Sequence, residues 1–153
     1  MNRVITYLTI LGSIGFFATF SVAEKLSLPL SFELLEKTEY NDEWVPVFPK
    51  ELSKMEGKLI RITGFITPYD DPKNLVKLIL VKSPGGCFFC SPPPPTDVVF
   101  VRQTANDPPL KYSFDPISFE GIFHLRRSDM KEDDEAKGFF FTLDDAKVVT
   151  DKR

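Results

Sequence analysis

Leu59-Ile60-Arg61-Ile62-Thr63-Gly64-Phe65-Ile66 alternates large apolar and polar side chains over most of its length, the period-two pattern of a strand with one buried face. Ile60, Ile62 and Ile66 fall on that face and Arg61 and Thr63 on the other. Gly64 interrupts the run and predicts either a bulge or the close approach of a second backbone. The turn cluster Tyr69-Asp70-Asp71-Pro72-Lys73-Asn74 follows. A second strand is read over Leu75 to Val81, apolar enough to be covered on both faces, and a third over Val98 to Val101. The fourth runs from Ile117 to Arg126, with Ile117, Phe119, Gly121, Phe123 and Leu125 on one face, and the fifth from Phe139 to Val149.

Upstream of these strands the pattern is irregular. Ser31 is placed to cap a short helix carrying Leu34 and Leu35, and Trp44 lies in a Pro-bounded loop. Pro49 reads as the first residue of a second short helix through Leu52 and Met55, stopped by Gly57. Helices this short do not stand alone in water and serve to cap the end of a sheet. Five short strands with a bulging glycine in the first and little helix fit a closed barrel, because closure removes exposed edges. The expected fold is therefore mostly β, a five-stranded OB-like barrel with one or two short N-terminal helices. A two-sheet sandwich would need about seven strands. Most of the 15 phenylalanines are then core, although Phe139-Phe140-Phe141 must send at least one ring to the opposite face from the others.

The stretch between the second and third strands is different in kind. Gly85-Gly86-Cys87-Phe88-Phe89-Cys90-Ser91-Pro92-Pro93-Pro94-Pro95 holds both cysteines of the 153-residue chain. Four consecutive prolines fix φ, offer no N–H and predict a stiff extended rod in which no helix starts. Such a rod is a rigid loop packed on its own domain or, with Phe88 and Phe89, a preformed surface for a partner.

The N-terminus has the parts of an export signal: Arg3, an uncharged apolar run from Val4 to Phe20, and Ser21-Val22-Ala23 before Glu24. Residues 1–23 are expected to be removed, leaving 24–153 as one domain, periplasmic or secreted and without stable membrane insertion. An uncleaved anchor is the competing reading, since the uncharged run is about as long as a bilayer span. No cysteine follows the run, so a lipid anchor of that type is excluded. The whole chain carries a net charge of −3, more negative once Arg3 is gone, which argues against nucleic acid or an anionic membrane surface as partner. The acidic stretch from Ser128 to Lys137 lacks the spacing and glycine of an EF-hand loop and reads as a solvated hairpin loop.

Gly57 to Pro68, the second apolar strand, Gly-Gly-Cys, and the tetraproline followed by Thr96-Asp97-Val98-Val99-Phe100-Val101 together resemble a family of small exported bacterial proteins and lipoproteins of unknown function. The resemblance spans roughly Ser31 to Val149. It implies an OB-like fold and an accessory role beside envelope transporters or metal-uptake components. The family's commoner pattern has a histidine between the cysteine and the prolines, where this chain has Phe88-Phe89-Cys90-Ser91. Cys87 carries over directly and Cys90 stands where the histidine would, an exchange that suits a metal ligand or a redox pair.

Three chemistries remain open for Cys87 and Cys90. A disulfide would close a very small loop and contribute only about 2 kcal/mol by chain entropy. A metal half-site for zinc or copper suits two thiolates at this spacing. His124, the one histidine, is then a candidate third ligand, and a partner or second copy would supply the rest. Thiol-disulfide exchange usually relies on a helix N-terminus that stabilises the thiolate, and the prolines forbid that helix. No arrangement of nucleophile, base and oxyanion donors can be assembled around a single histidine. The sequence therefore points to a non-enzymatic binding or accessory protein, with a thiol-disulfide protein, or a disulfide-braced domain docking partners through its prolines, as the alternatives.

Overall fold

The computed structural model describes residues 26–43, 45–69, 71–84, 91–105, 107–127 and 135–150. The export signal read at 1–23, Trp44 and most of the acidic loop lie outside them. The described chain forms β1 (Leu28–Pro29), α1 (Phe32–Leu35), β2 (Glu39–Tyr40), β3 (Pro46–Val47), α2 (Lys50–Ser53), β4 (Leu59–Pro68), β5 (Lys77–Val81), a 3-10 turn (Pro95–Asp97), β6 (Val98–Gln103), β7 (Ile117–Leu125) and β8 (Phe141–Val149). None of its helices is long and apolar enough to cross a membrane.

Five strands close on themselves in the order β4-β5-β6-β8-β7 and back to β4. β6 and β8 run parallel and every other pair in the ring is antiparallel. This is the OB-like barrel, closed by a Greek-key crossover. β4 can serve two neighbours because it is long: Leu59 to Gly64 pair with β7, and Phe65 to Pro68 pair with β5 on the opposite edge. β1 fills that second edge lower down, parallel to β4 at Ile60 and Arg61.

The alternation in β4 decides what lies inside. Ile60, Ile62 and Ile66 point into the barrel with Leu78, Leu80, Val99, Val101, Phe119, Phe123, Phe141 and Leu143. Leu35 and Leu52, both fully buried, let α1 and α2 close onto that core. Pro49 stands just before α2 as its cap rather than as its first residue, and α2 ends at Ser53, short of Met55 and Gly57; Gly57 takes φ +67° in the turn that follows. Gly64 is a close approach and not a bulge, because a Cβ there would lie 2.7 Å from the Val81 carbonyl oxygen and 2.9 Å from Leu80 Cγ. The register slips of this barrel lie elsewhere, on both sides of β8 around Asp144 to Ala146: between Glu120 and Ile122 of β7 and between Val101 and Gln103 of β6.

A second, smaller core covers the outside of β5 and β6. Ile79, Val81, Val98 and Phe100 are buried there under Ala136 and Phe139 of the β7–β8 connection, with Phe65 half-buried beside them. Tyr69 adds an edge-on contact to Phe100 at 5.1 Å. The three consecutive phenylalanines divide as strand geometry requires: Phe139 joins this outer layer, Phe141 enters the barrel, and Phe140 is half-buried against Tyr40.

Candidate functional site

The connection from β5 to β6 carries the cysteine and proline stretch, and the barrel holds both its ends. Val81 pairs with Val98, and just beyond them the Lys82 N–H donates to the Asp97 carbonyl at 3.2 Å. Cys87, Cys90, Phe88 and Phe89 lie outside the described residues. The prolines do not. Pro92, Pro94 and Pro95 are exposed and Pro93 is half-buried, so the rod runs along the surface. It is shorter than four prolines predict, because Pro95 opens the 3-10 turn, in which the Asp97 N–H donates to the Pro94 carbonyl at 2.9 Å. Proline is tolerated there since the first residue of a helical turn uses no N–H.

Lys82, the cation nearest the cysteines on the N-terminal side, is already engaged. Its Nζ lies 2.5 Å from Glu36 Oε1 and 3.9 Å from Glu33 Oε1, both of the α1 region. The hydrogen bond to Glu36 raises its pKa above the ordinary lysine value. Its charge is thus compensated before it could stabilise a thiolate.

His124 stands elsewhere on the barrel. Its Nδ1 is 2.8 Å from Glu56 Oε1, while Glu56 Oε2 accepts the Leu125 N–H. Its Nε2 faces Asp144 Oδ2 at 3.9 Å, and Asp144 in turn holds Arg102 at 2.7 Å. Ile117, at the other end of β7, pairs with Gly64, the residue packed on Val81. Seven residues of strand, about 23 Å at ~3.3 Å each, separate that end from His124. β5 and β7 are not neighbours in the ring. Among the described residues no group of three or more His, Cys, Asp or Glu side chains is arranged to hold a metal ion.

A groove of about 300 Å³ adjoins the start of the cysteine stretch. Phe65, Pro68, Val81 and Pro84 form one side, and Tyr112 and Phe114 of the β6–β7 connection form the other. Those two rings meet edge-on at 5.0 Å, and Phe114 is 80% exposed. Sequence reasoning did not find this groove. The only signal was a pair of aromatic residues alternating with polar ones in a Pro-bounded linker. The face between the β4–β5 and β7–β8 connections, where OB barrels commonly take oligonucleotides, is here covered by the chain's own Tyr69 and Phe139.

The architecture and the bracketed loop define a small OB-like barrel domain. Residues 31–148 match the model of a family described as protein of unknown function DUF3299, and the chain belongs to that family. It is also similar to the crystal structure of a DUF3299 family protein from Pseudomonas aeruginosa PAO1, with a TM-score of 0.53 and 16% identity over 82% of this chain and 97% of that one. At that identity the likeness extends to the fold. A comparison with curated proteins found no match.

Proposed function

We propose that this chain is an exported, non-enzymatic binding or accessory protein of an envelope transport system, and that it works through the β5–β6 connection. Cys87 and Cys90 form a two-thiolate half-site that takes zinc or copper(I) and is completed by a partner chain. The observation that carries the reading is the bracketing of this connection: the β5–β6 ladder holds both ends while Pro92, Pro94 and Pro95 remain in solvent. Anchoring both ends keeps the connection at one end of the barrel. The engagement of Lys82 by Glu36 supports metal handling over thiol-disulfide exchange, because exchange needs a nearby uncompensated positive field. His124 is left out of the proposed donor set, since Glu56 and Asp144 already flank it.

Native mass spectrometry of the protein isolated from the envelope without reductant or chelator tests this first. An added zinc or copper mass supports the half-site, and a loss of two hydrogens supports a closed disulfide instead. Cys90→Ser separates the alternatives. A carrier loses metal and keeps its fold, an exchange protein accumulates mixed disulfides through Cys87, and a braced domain loses thermal stability alone.

A further inference from the structure

From Ser91 to Thr96 the burial of the chain repeats every third residue. Ser91 and Pro92 are exposed, Pro93 is half-buried, Pro94 and Pro95 are exposed, and Thr96 is buried. Three residues per turn is the period of the polyproline II helix, and Pro94, with φ −51° and ψ 144°, lies near that geometry. The rod therefore lays one ridge, Pro93 and Thr96, on its own domain. The other two ridges, Ser91 with Pro94 and Pro92 with Pro95, stand in solvent. Ser91-Pro92 and Pro94-Pro95 are thus two exposed x-Pro pairs one turn, about 9 Å, apart.

The C-terminal end of the rod is fixed to the barrel. The Asp97 N–H donates to the Pro94 carbonyl at 2.9 Å, and the Asp97 carbonyl accepts the Lys82 N–H at 3.2 Å. α1 packs against the 3-10 turn at this point. It brings Glu33 and Glu36 to the Lys82 ammonium, on which Asp97 also acts. Those four charges sum to a negative value, and the Glu33 side chain is 70% exposed.

We propose that Ser91 to Pro95 is the recognition element for a partner protein that offers an aromatic-lined groove with a cationic rim. Grooves of that kind take polyproline II segments through the prolines of their exposed ridges. The four prolines hold their φ before any contact is made, so seating the rod loses little ordering entropy. The rim's charge follows from Glu33 and its neighbours by complementarity. Cys90 precedes Pro92 by two residues, within about 7 Å along the chain, so the rod selects the partner that completes the half-site. The inference deepens the proposed function and rests on its reading of the β5–β6 connection as partner-facing.

Photocrosslinking in the producing cells tests it. The full chain carries p-benzoylphenylalanine in place of Ser91 or, as control, in place of the exposed Lys73 in the β4–β5 turn, at the opposite end of β5. The expected outcome is a product from position 91 alone, mapped to aromatic residues of a partner with Lys or Arg beside them. The purified partner should bind wild type about ten-fold or more tightly than the Pro92→Ala, Pro95→Ala double variant, and Glu33→Lys should weaken it as well. Alanine fits both positions, since Pro92 is exposed and Pro95 opens a turn in which its N–H would go unused; an unchanged urea midpoint checks the fold. No product, equal products from both positions, a product with a second copy of this chain, or a partner indifferent to the double variant or to Glu33→Lys overturns the proposal. Binding is measured with and without a chelator. A failed half-site removes the chelator effect and leaves the proline dependence, whereas a failed docking surface removes the proline dependence itself.

Discussion

Gly64 lies against the carbonyl of Val81 so closely that a Cβ would stand 2.7 Å from its oxygen and 3.0 Å from Phe32 Cε2. This contact lets α1 and β5 both pack on β4, and it fixes where β5 delivers the chain into the Lys82 to Thr96 connection. The neighbour is backbone and cannot swing aside. Gly64→Ala should therefore lower stability by about 1–3 kcal/mol, as overpacking does, measured by urea unfolding. An unchanged midpoint would mean that β5 can slide.

Asp145 adopts φ +50° within β8, at the register slip opposite Glu120 and Ile122. Aspartate tolerates that region and a β-branched residue does not. Asp145→Val should cost about 1–2 kcal/mol, and Asp145→Gly should be close to neutral. Equal effects of the two substitutions in thermal unfolding would show that the backbone there is not constrained.

Glu120 accepts from Ser27 Oγ at 2.6 Å and from Arg61 Nε at 3.1 Å. The Ser27 hydrogen bond holds its carboxyl below the ordinary range against the opposing effect of burial, with Arg61 and Lys147 adding to the lowering. A carboxylate with a depressed folded pKa stabilises fully above the unfolded value, and that contribution is lost as pH falls through the folded one. Acidification should thus weaken the tie between the β1 segment and the barrel. Ser27→Ala should raise the Glu120 titration midpoint in NMR, and Glu120→Gln should remove this part of the acid dependence.

His124→Ala should leave the metal content of the purified protein unchanged and cost no more than about 1 kcal/mol, the scale of one side-chain hydrogen bond. Native mass spectrometry and thermal unfolding check the two parts. Loss of bound metal in this variant would bring His124 into the donor set.

The parts of the barrel that could be read in advance are those where a pattern repeats. Ile60, Ile62 and Ile66 on one side of Arg61 and Thr63 mark β4, and Phe119, Gly121 and Phe123 mark the inner face of β7, because burial on one face imposes a period of two. β1, β2 and β3 are two residues each, too short to have a period; β1 exists because β4 supplies its partner, and β2 and β3 because they pair with each other. Gly64 was legible as a special position, but a bulge and a close approach ask for the same residue. The outer layer of Phe100 and Phe139 was hidden, since it depends on the β7–β8 connection folding back over β5 and β6. The Cys-x-x-Cys spacing and the prolines stood out at once, whereas the groove at Tyr112 and Phe114 depends on where β7 begins.

The pairing of β8 with β6 and β7 places it between two strands made earlier. Until Phe141 to Val149 has been synthesised, β6 and β7 each lack a neighbour and the ring is an open sheet with two bare margins. Synthesis runs from the N-terminus, so the barrel cannot shut around its core until β8 has been made. Closure rests on that one strand, and its loss leaves β6 and β7 each without a neighbour on one side.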